Sequence, residues 1–280
     1  MKLRFNGFEL DFSKKTYIMG IVNVTPDSFF DGGKYYSKES AVQHALKLIE
    51  EGADIIDIGG ESTRPGSEPI SVEEEIRRVI PVIEELAKRV SVPISCDTYK
   101  AEVAERAIQA GASIINDISG LRFDSKMAEI VAKYNVAVVL MHIKGTPKDM
   151  QKNPYYEALI PEIIEYLRES IVIAKRMGVS EDRIIIDPGI GFGKLLEHNL
   201  EIIKKLKDFT LLGKPILIGV SRKSFIGKIL NDAPPEERLE GTAAATVASI
   251  LNGANIVRVH DVGYISKFVK VVDAIKFSKL

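Results

Sequence analysis

The segment 59–66 of this 280-residue chain reads Gly-Gly-Glu-Ser-Thr-Arg-Pro-Gly and carries side chains that suit an anion. The hydroxyls of Ser62 and Thr63 can donate hydrogen bonds, and the Arg64 guanidinium can bind a phosphate or carboxylate through two hydrogen bonds. The apolar run 54–58 precedes it, and Ser71 and Glu74 follow it with the spacing of a helix capping box. We therefore expect an anion-binding loop between a buried strand and a helix, the alternative being a merely polar turn.

Polar residues also close the other apolar runs of the chain. In chain order they are Asn23 with Thr25 and Asp27, Asp57, Asp97, Asn116 with Asp117, His142, Asp187, Lys223 with Ser224, and Arg258 with His260. The carboxylates and amides can accept hydrogen bonds from a ring rich in N–H groups, whereas the cationic or nearly cationic members favour a phosphate. Any one Asp could be only a helix N-cap, but polar groups at every strand end indicate a shared binding site.

A hard cation such as Mg²⁺ would suit the first of these strand ends. Asn23, Thr25 and Asp27 offer oxygen ligands there, and Mg²⁺ takes few protein ligands and keeps several waters. No Cys/His cluster supports zinc.

Eight short apolar runs alternate with eight longer amphipathic segments. The predicted strands are 17–24, 54–58, 93–97, 113–118, 136–142, 183–187, 215–220 and 255–260, and the predicted helices are 37–51, 72–89, 100–110, 125–134, 159–177, 196–209, 236–252 and 262–277. Strands this rich in Ile and Val are typical of a parallel sheet buried on both faces.

This alternation predicts an α/β fold, a single (β/α)₈ barrel over 16–280, with a short hairpin in 1–15 that caps the barrel bottom. An open doubly wound sheet is the alternative, but eight units without a domain break favour the barrel. Barrel enzymes place their chemistry at the C-terminal ends of the strands, which is where the polar residues fall.

Composition limits the classes of partner. The chain is 45% hydrophobic and 28% charged with a net charge of −1, so we expect neither nucleic acid nor a membrane surface as a partner. No apolar run suggests a signal peptide or a membrane span, and the single cysteine, Cys96, excludes an internal disulfide. We expect a cytoplasmic protein in which Cys96 packs against the helices, because Ser95 and Asp97 share the opposite strand face.

The glycine-rich segment 189–194 resembles a nucleotide loop only superficially. Its spacing fits neither the dinucleotide nor the P-loop pattern, and no Ser or Thr follows Lys194. We interpret it as a flexible wall that lets the backbone approach a planar ligand.

Five segments in chain order resemble the dihydropteroate synthases: 23–29, 59–66, 187–194, 221–224 and 258–261. The resemblance spans nearly the whole chain. It implies a (β/α)₈ barrel that joins 6-hydroxymethyl-7,8-dihydropterin pyrophosphate to p-aminobenzoate, giving 7,8-dihydropteroate and pyrophosphate, with Mg²⁺ as cofactor. It also implies a homodimer and inhibition by sulfonamides, which mimic p-aminobenzoate.

The resemblance implies roles for individual residues. For the pterin they are Asp97, Asn116, Asp187 and Lys223, with Met141 and Ile118 beside the ring. For the pyrophosphate they are Asn23, Thr63, Arg258 and His260, with Asn23 also binding Mg²⁺. For p-aminobenzoate they are Thr63, Arg64, Pro65, Phe192, Ser224 and Phe29, and the catalytic set is Asp97, Lys223, Asp31 and Asp27, the last two on a first loop that closes over the reacting centre.

The parts suggest a dissociative reaction. Pyrophosphate would leave first, and Asp97 or Asp31 would stabilise the cation-like carbon before the arylamine attacks. One rival is a methyltransferase that passes a methyl group from methyltetrahydrofolate to a corrinoid protein, but it would have no pyrophosphate for Arg64, Lys223, Arg258 and His260 to bind. A generic phosphate-sugar barrel would need a Gly-rich phosphate loop after strands seven and eight, whereas strand seven here ends in Ser221-Arg222-Lys223-Ser224. A catalytically inactive pterin-binding paralogue would lack part of the Mg²⁺ or first-loop set, which is intact here.

Overall fold

Eight parallel strands form the centre of the protein in a computed structural model, which describes residues 1–25 and 38–278. They are β3 Tyr17–Asn23, β4 Ile55–Gly59, β5 Ile94–Asp97, β6 Ile114–Asp117, β7 Ala137–Met141, β8 Ile184–Asp187, β9 Leu217–Ile218 and β10 Ile256–Val259. Each pairs with the next in chain order, and β10 lies between β9 and β3. A parallel bridge between Ile186 and Ile216 joins β8 to the β9 segment and completes the ring. The barrel prediction is confirmed, and the open-sheet alternative is wrong.

Helices surround the strands. They are α1 Lys38–Glu50, α2 Val72–Ala87, α3 Ala101–Ala110, α4 Met127–Tyr134, α5 Leu159–Arg176, α6 Leu196–Lys204, α7 Ser224–Ile229, α8 Leu239–Leu251 and α9 Val262–Lys276. Their apolar faces pack on the outer faces of the strands, where Cys96 is fully buried as expected. None of the helices in 1–25 and 38–278 is long and apolar enough to cross a membrane.

The sequence prediction missed several local features. The predicted helix 196–209 ends at Lys204 and continues as the 3₁₀ helix Leu206–Leu212, and the short α7 was not predicted as a helix. The predicted strand 215–220 shrinks to two residues. The capping box of α2 is half formed, because Ser71 accepts from the Glu74 amide at 3.2 Å while the Glu74 carboxylate binds arginines of the next turn.

An N-terminal hairpin, β1 Lys2–Phe5 and β2 Phe8–Asp11, closes the bottom of the barrel. Its turn residues Asn6 and Gly7 adopt φ of 42° and 80°, a conformation that glycine adopts without steric cost. The buried side chains Leu3, Phe5, Leu10 and Phe12 pack in one cluster with barrel-interior residues such as Met19, Ile55 and Ile114. The predicted hairpin is therefore present, while a domain boundary at residue 15 stays a prediction.

We expect Phe5→Ala to lower the free energy of unfolding by about 3 kcal/mol, because it opens a cavity between the hairpin and the barrel interior. Urea unfolding followed by circular dichroism measures this. The control is Leu211→Ala, at a side chain that is 79% exposed. That control should cost about 0.5 kcal/mol or less. Equal losses in the two variants would mean that the hairpin does not seal the barrel.

Candidate active site at the C-terminal end of the barrel

The strand register places the predicted polar residues at one level of the barrel. Asn23 pairs with Gly59, Gly59 with Asp97, and Asp97 with Asn116 along three neighbouring strand pairs. On the other side of the ring, Met141 pairs with Asp187. Because all strands are parallel, these positions lie together at the C-terminal mouth, as the sequence predicted.

Arg258 of β10 binds two carboxylates across the mouth. Its Nε lies 2.6 Å from Asp57 Oδ2, and its Nη2 lies 2.7 Å from Asp97 Oδ2. Asn116 Nδ2 also donates to Asp57 Oδ2 at 3.1 Å. Asp57 is completely buried, and its Oδ1 has no hydrogen-bond partner within the described part of the chain. The guanidinium is therefore the principal compensation for the buried charge of Asp57 and the partly buried charge of Asp97.

Burial shifts the acidity of these groups. It raises the pKa of Asp97, an effect that Arg258 opposes and that neighbouring carboxylates strengthen. Burial likewise raises the pKa of Asp187, although the Lys223 ammonium opposes it. The Asp187 carboxylate accepts a hydrogen bond from the Gly189 amide at 2.7 Å, so one of its oxygens is fixed in place.

Lys223 stands at the start of α7 with its side chain turned toward the barrel. Its ammonium donates to the Ile190 carbonyl and lies 4.8 Å from the centroid of the Phe192 ring. Burial lowers the pKa of Lys223 to about 8, with the charge of Asp187 opposing the shift. The preceding residue, Arg222, has a φ of 56° and binds Asp261 through two nitrogens at 2.7 and 2.6 Å. That pair fixes the strained turn that delivers Lys223, and sequence reasoning did not find it.

An apolar wall lies beside these polar groups. Ile118, Met141, Ile143 and Met150 form a separate buried cluster, and Tyr99 and Phe192 pack against it. The predicted neighbours Ile118 and Met141 are thus in one patch. An apolar wall with convergent polar groups is the usual setting for a planar, polar-edged ligand.

The glycine-rich segment 189–194 forms one side of the site. Gly189 has a φ of 73°, and a Cβ there would lie 1.9 Å from the carbonyl oxygen of His142. Lys194 is buried with its Nζ 2.9 Å from His142 Nδ1 and 2.9 Å from the Phe192 carbonyl. These contacts fix the segment against β7, so the expected wall is present but is held more firmly than the flexible one we predicted.

His260 lies beside Arg258 at the same rim. Its Nδ1 is 2.9 Å from the Ser221 hydroxyl. Burial and the charge of Arg258 lower the pKa of His260 to about 4. The imidazole is therefore neutral near neutral pH, and our expectation of a nearly cationic side chain is corrected.

The loop 60–71 carries the predicted anion-binding residues. Thr63 is half-buried, whereas Arg64 and Pro65 are exposed. Arg64 contributes to lowering the pKa of His260, so its charge acts on the same rim. Ser224 is exposed at the first position of α7.

Three predicted site residues lie outside the described part of the chain, and a fourth has a structural role. Asp27, Phe29 and Asp31 lie outside the described residues. Asp117 is fully buried and accepts bonds from the Ser119 amide and hydroxyl and from the Leu121 amide. Asp117 therefore holds the turn after β6 and is unavailable to a ligand.

The metal expectation depends on Asn23. Within 1–25 and 38–278 no group of three or more His, Cys, Asp or Glu side chains is placed to hold a metal ion. Asn23 ends β3 and is half-buried, so its amide oxygen can serve as a ligand, while Asp27 lies outside the described residues. Such a donor fits Mg²⁺, which can take its other ligands from substrate phosphates and water.

The whole chain is similar to known proteins. A profile for pterin binding enzymes matches residues 19–260. The dihydropteroate synthase of Bacillus subtilis is 54% identical over 95% of this chain and 90% of its own length. Two crystal structures share the fold: a Yersinia pestis dihydropteroate synthase with a sulfonamide drug complex has a TM-score of 0.94, 42% identity and coverage of 99% and 100% of the two chains. The Xanthomonas albilineans dihydropteroate synthase in complex with 7,8-dihydropteroate has a TM-score of 0.89, 41% identity and the same coverage.

We expect Arg258→Met to lower the free energy of unfolding by about 3 kcal/mol, because it leaves the buried carboxylate of Asp57 and the partly buried one of Asp97 without their cation. Adding Asp57→Asn to that variant should recover part of the loss, since the amide carries no charge. Urea unfolding of the two single variants and the double variant gives the coupling between the sites. Strictly additive losses would contradict a direct Asp57–Arg258 interaction.

Proposed function

Because the chain belongs to the pterin-binding enzymes, and within them to the dihydropteroate synthases, we propose that the polar residues at its barrel mouth carry that reaction as follows. The reaction joins 6-hydroxymethyl-7,8-dihydropterin pyrophosphate to p-aminobenzoate and releases pyrophosphate. One observation carries the assignment of roles: hydrogen-bond acceptors, a buried ammonium and an apolar wall meet at one level of the barrel, next to Arg258 and His260. This is the set of groups that a pterin with a phosphorylated side chain requires.

The pterin ring would lie against the wall formed by Ile118 and Met141. Asp97, Asn116 and Asp187 would accept hydrogen bonds from its N–H groups, and Lys223 would donate to a ring acceptor. Support comes from the raised pKa of Asp97 and Asp187, which marks carboxyls that lack water and gain from ligand N–H donors.

The pyrophosphate would lie at the rim between β3 and β10. Arg258, neutral His260 and Thr63 would donate hydrogen bonds to its oxygens, and Asn23 would bind Mg²⁺ together with them. When bound, Mg²⁺ supplies positive charge to the departing phosphate oxygens. Support comes from the adjacency of Arg258 and His260 on the strand paired with β3.

The p-aminobenzoate would enter between the loop 60–71 and α7. Arg64, Pro65, Phe192 and Ser224 would frame it, with Arg64 and the Ser224 hydroxyl at the carboxylate. Phe29 would complete this pocket. The Lys223 ammonium above the Phe192 ring joins this pocket to the pterin site.

We propose a dissociative step in this arrangement. As the C–O bond to the pyrophosphate breaks, the methylene carbon gains positive charge, which the Asp97 carboxylate would stabilise. The resemblance also assigns Asp31 and Asp27, which lie outside the described residues, to the catalytic set. The arylamine lone pair then forms the new C–N bond and the nitrogen loses a proton, so that the charges balance without a strong base.

We also propose that the protein is a cytoplasmic homodimer. The free thiol of Cys96 suits a reducing compartment. Leu251 of α8 and Val271 and Ile275 of α9 are 58%, 61% and 65% exposed, and such side chains favour contact with a second subunit.

The direct test measures pyrophosphate release from the pterin pyrophosphate and Mg²⁺, with and without p-aminobenzoate. We expect release coupled to dihydropteroate formation and competition by a sulfonamide.

Lys223→Ala should weaken pterin binding by about tenfold or more, because a buried ring acceptor loses its donor. Ser224→Ala should raise the KM for p-aminobenzoate more than the KM for the pterin. Tight pterin binding without turnover would favour an inactive paralogue, and equal effects of Ser224→Ala on both substrates would contradict the pocket.

The raised pKa of Asp97 predicts a pH dependence. Affinity for 6-hydroxymethylpterin, which has no phosphate to titrate, should be highest between the pKa of Asp97, about 7, and that of Lys223, about 8. It should fall as pH drops through the pKa of Asp97, because a protonated carboxyl loses acceptor capacity. Isothermal titration calorimetry on the acid side of the pKa of Asp97 measures this fall. Asp97→Asn should bind more weakly with a smaller fall, since Asp187 is then the one proposed pterin carboxyl that titrates there. An unchanged pH profile in that variant would remove Asp97 from the pterin site.

A further inference from the structure

Buried charges tie together both ends of the loop that carries Thr63, Arg64 and Pro65. At its start, the Glu61 carboxylate accepts a hydrogen bond from the Ile70 amide at 2.9 Å. The Ile70 carbonyl accepts from Lys100 Nζ, also at 2.9 Å. The loop therefore closes on itself through two side chains that lie below its tip.

Lys100 is the centre of this arrangement. Its Nζ lies 2.6 Å from Glu61 Oε2 and 2.6 Å from Glu75 Oε2, so its three N–H groups have three acceptors. The side chains of Lys100, Glu61 and Glu75 are 13%, 5% and 1% exposed. Burial raises the pKa of Glu75, as expected where two carboxylates share one cation.

Tyr99 connects this charge cluster to the apolar wall. Its hydroxyl donates to Glu61 Oε1 at 2.6 Å. Its ring packs against the cluster of Ile118, Met141, Ile143 and Met150 and meets the Phe123 ring edge-on at 5.4 Å. One side chain thus touches both the wall proposed for the pterin and the carboxylate that anchors the p-aminobenzoate loop.

We propose that Lys100, Glu61 and Tyr99 are positioning residues for the second substrate, an inference that rests on the proposed p-aminobenzoate pocket. They do not touch the substrate. They fix the position of Arg64 and Pro65 relative to the barrel mouth. Through Tyr99, this position is also fixed relative to the apolar wall on which the first substrate would lie.

The energetics favour a positioning role over a purely stabilising one. Buried ion pairs contribute little net stability, because the cost of removing both charges from water offsets their attraction. They do impose geometry, since each donor must meet its acceptor, and displacements of about 1 Å at a reacting group can cost orders of magnitude in rate. The tip is also held by the Gly66 amide on the Pro147 carbonyl at 2.9 Å, and by Ser67, whose amide donates to the Arg64 carbonyl at 3.1 Å and whose hydroxyl donates to the Ser62 carbonyl at 2.6 Å.

Tyr99→Phe is the sharpest test, because it removes one hydroxyl and keeps the ring on the wall. We expect the KM for p-aminobenzoate to rise by about threefold to tenfold, with kcat and the KM for the pterin pyrophosphate changed by less than about twofold. The matched control is Tyr134→Phe, because the Tyr134 hydroxyl of α4 donates to Glu105 of α3, away from the barrel mouth. That control should change neither KM.

Lys100→Met should raise the same KM further, by about tenfold or more, and Lys100→Arg should restore part of it because the charge returns. Thermal melting is measured on each variant, so that loss of folding is separated from loss of position. Tyr99→Phe remains informative if Lys100→Met does not fold.

Arg64→Ala, measured in parallel, tests the proposed p-aminobenzoate pocket separately from the positioning role of Lys100, Glu61 and Tyr99. An unchanged KM for p-aminobenzoate in Arg64→Ala would contradict the proposed pocket, and the inference with it. A raised KM in Arg64→Ala together with unchanged values in Tyr99→Phe and Lys100→Met would contradict the inference alone. Equal rises for both substrates in Tyr99→Phe would also overturn it, because that pattern indicates general loosening of the barrel mouth.

Discussion

The ion pairs of the partly buried Arg258 guanidinium are the interactions on which the barrel mouth depends. It contacts Asp57 and Asp97 from two other strands, at 2.6 and 2.7 Å. Those carboxylates can be buried only because a cation faces them, and the cation can face both only because the ring of parallel strands is closed. Burial of these charges thus depends on closure of the sheet, which brings the polar groups of different strands to one level.

The same burial drives the titratable groups of the mouth toward their neutral forms. The pKa of Asp97 rises, that of Lys223 falls to about 8, and that of His260 falls to about 4. Burial thus weakens the charge of these three groups before a ligand binds, and a ligand that brings N–H donors and phosphate charge would favour their charged forms. Electrostatic preorganisation of this sort needs no movement of the barrel itself.

The fold, and the gathering of polar residues at the C-terminal ends of the strands, could be predicted from the sequence because they depend on local pattern. Alternation of apolar runs predicted the strands, and period two correctly turned Cys96 away from the mouth. What was missed depends on contacts between distant residues: Lys100 meets Glu61 across 39 positions, and no spacing rule joins them. The short α7 was missed because six residues hold too little periodicity. The lowered pKa of His260 was missed because its burial depends on residues that are distant in the sequence.

The two proposed substrate pockets share their supports, and this follows from how each support is held. Lys223 donates to the Ile190 carbonyl, Phe192 lies under the same ammonium, and buried Lys194 holds the Phe192 carbonyl. On the opposite side, Tyr99 packs on the apolar wall while its hydroxyl holds the loop 60–71. Loss of the Tyr99 hydroxyl would release the loop while the ring stays on the wall, whereas a change at Phe192 would reach both proposed pockets. The proposed pockets are accordingly positioned by these supporting contacts as much as by the groups that would meet the ligand.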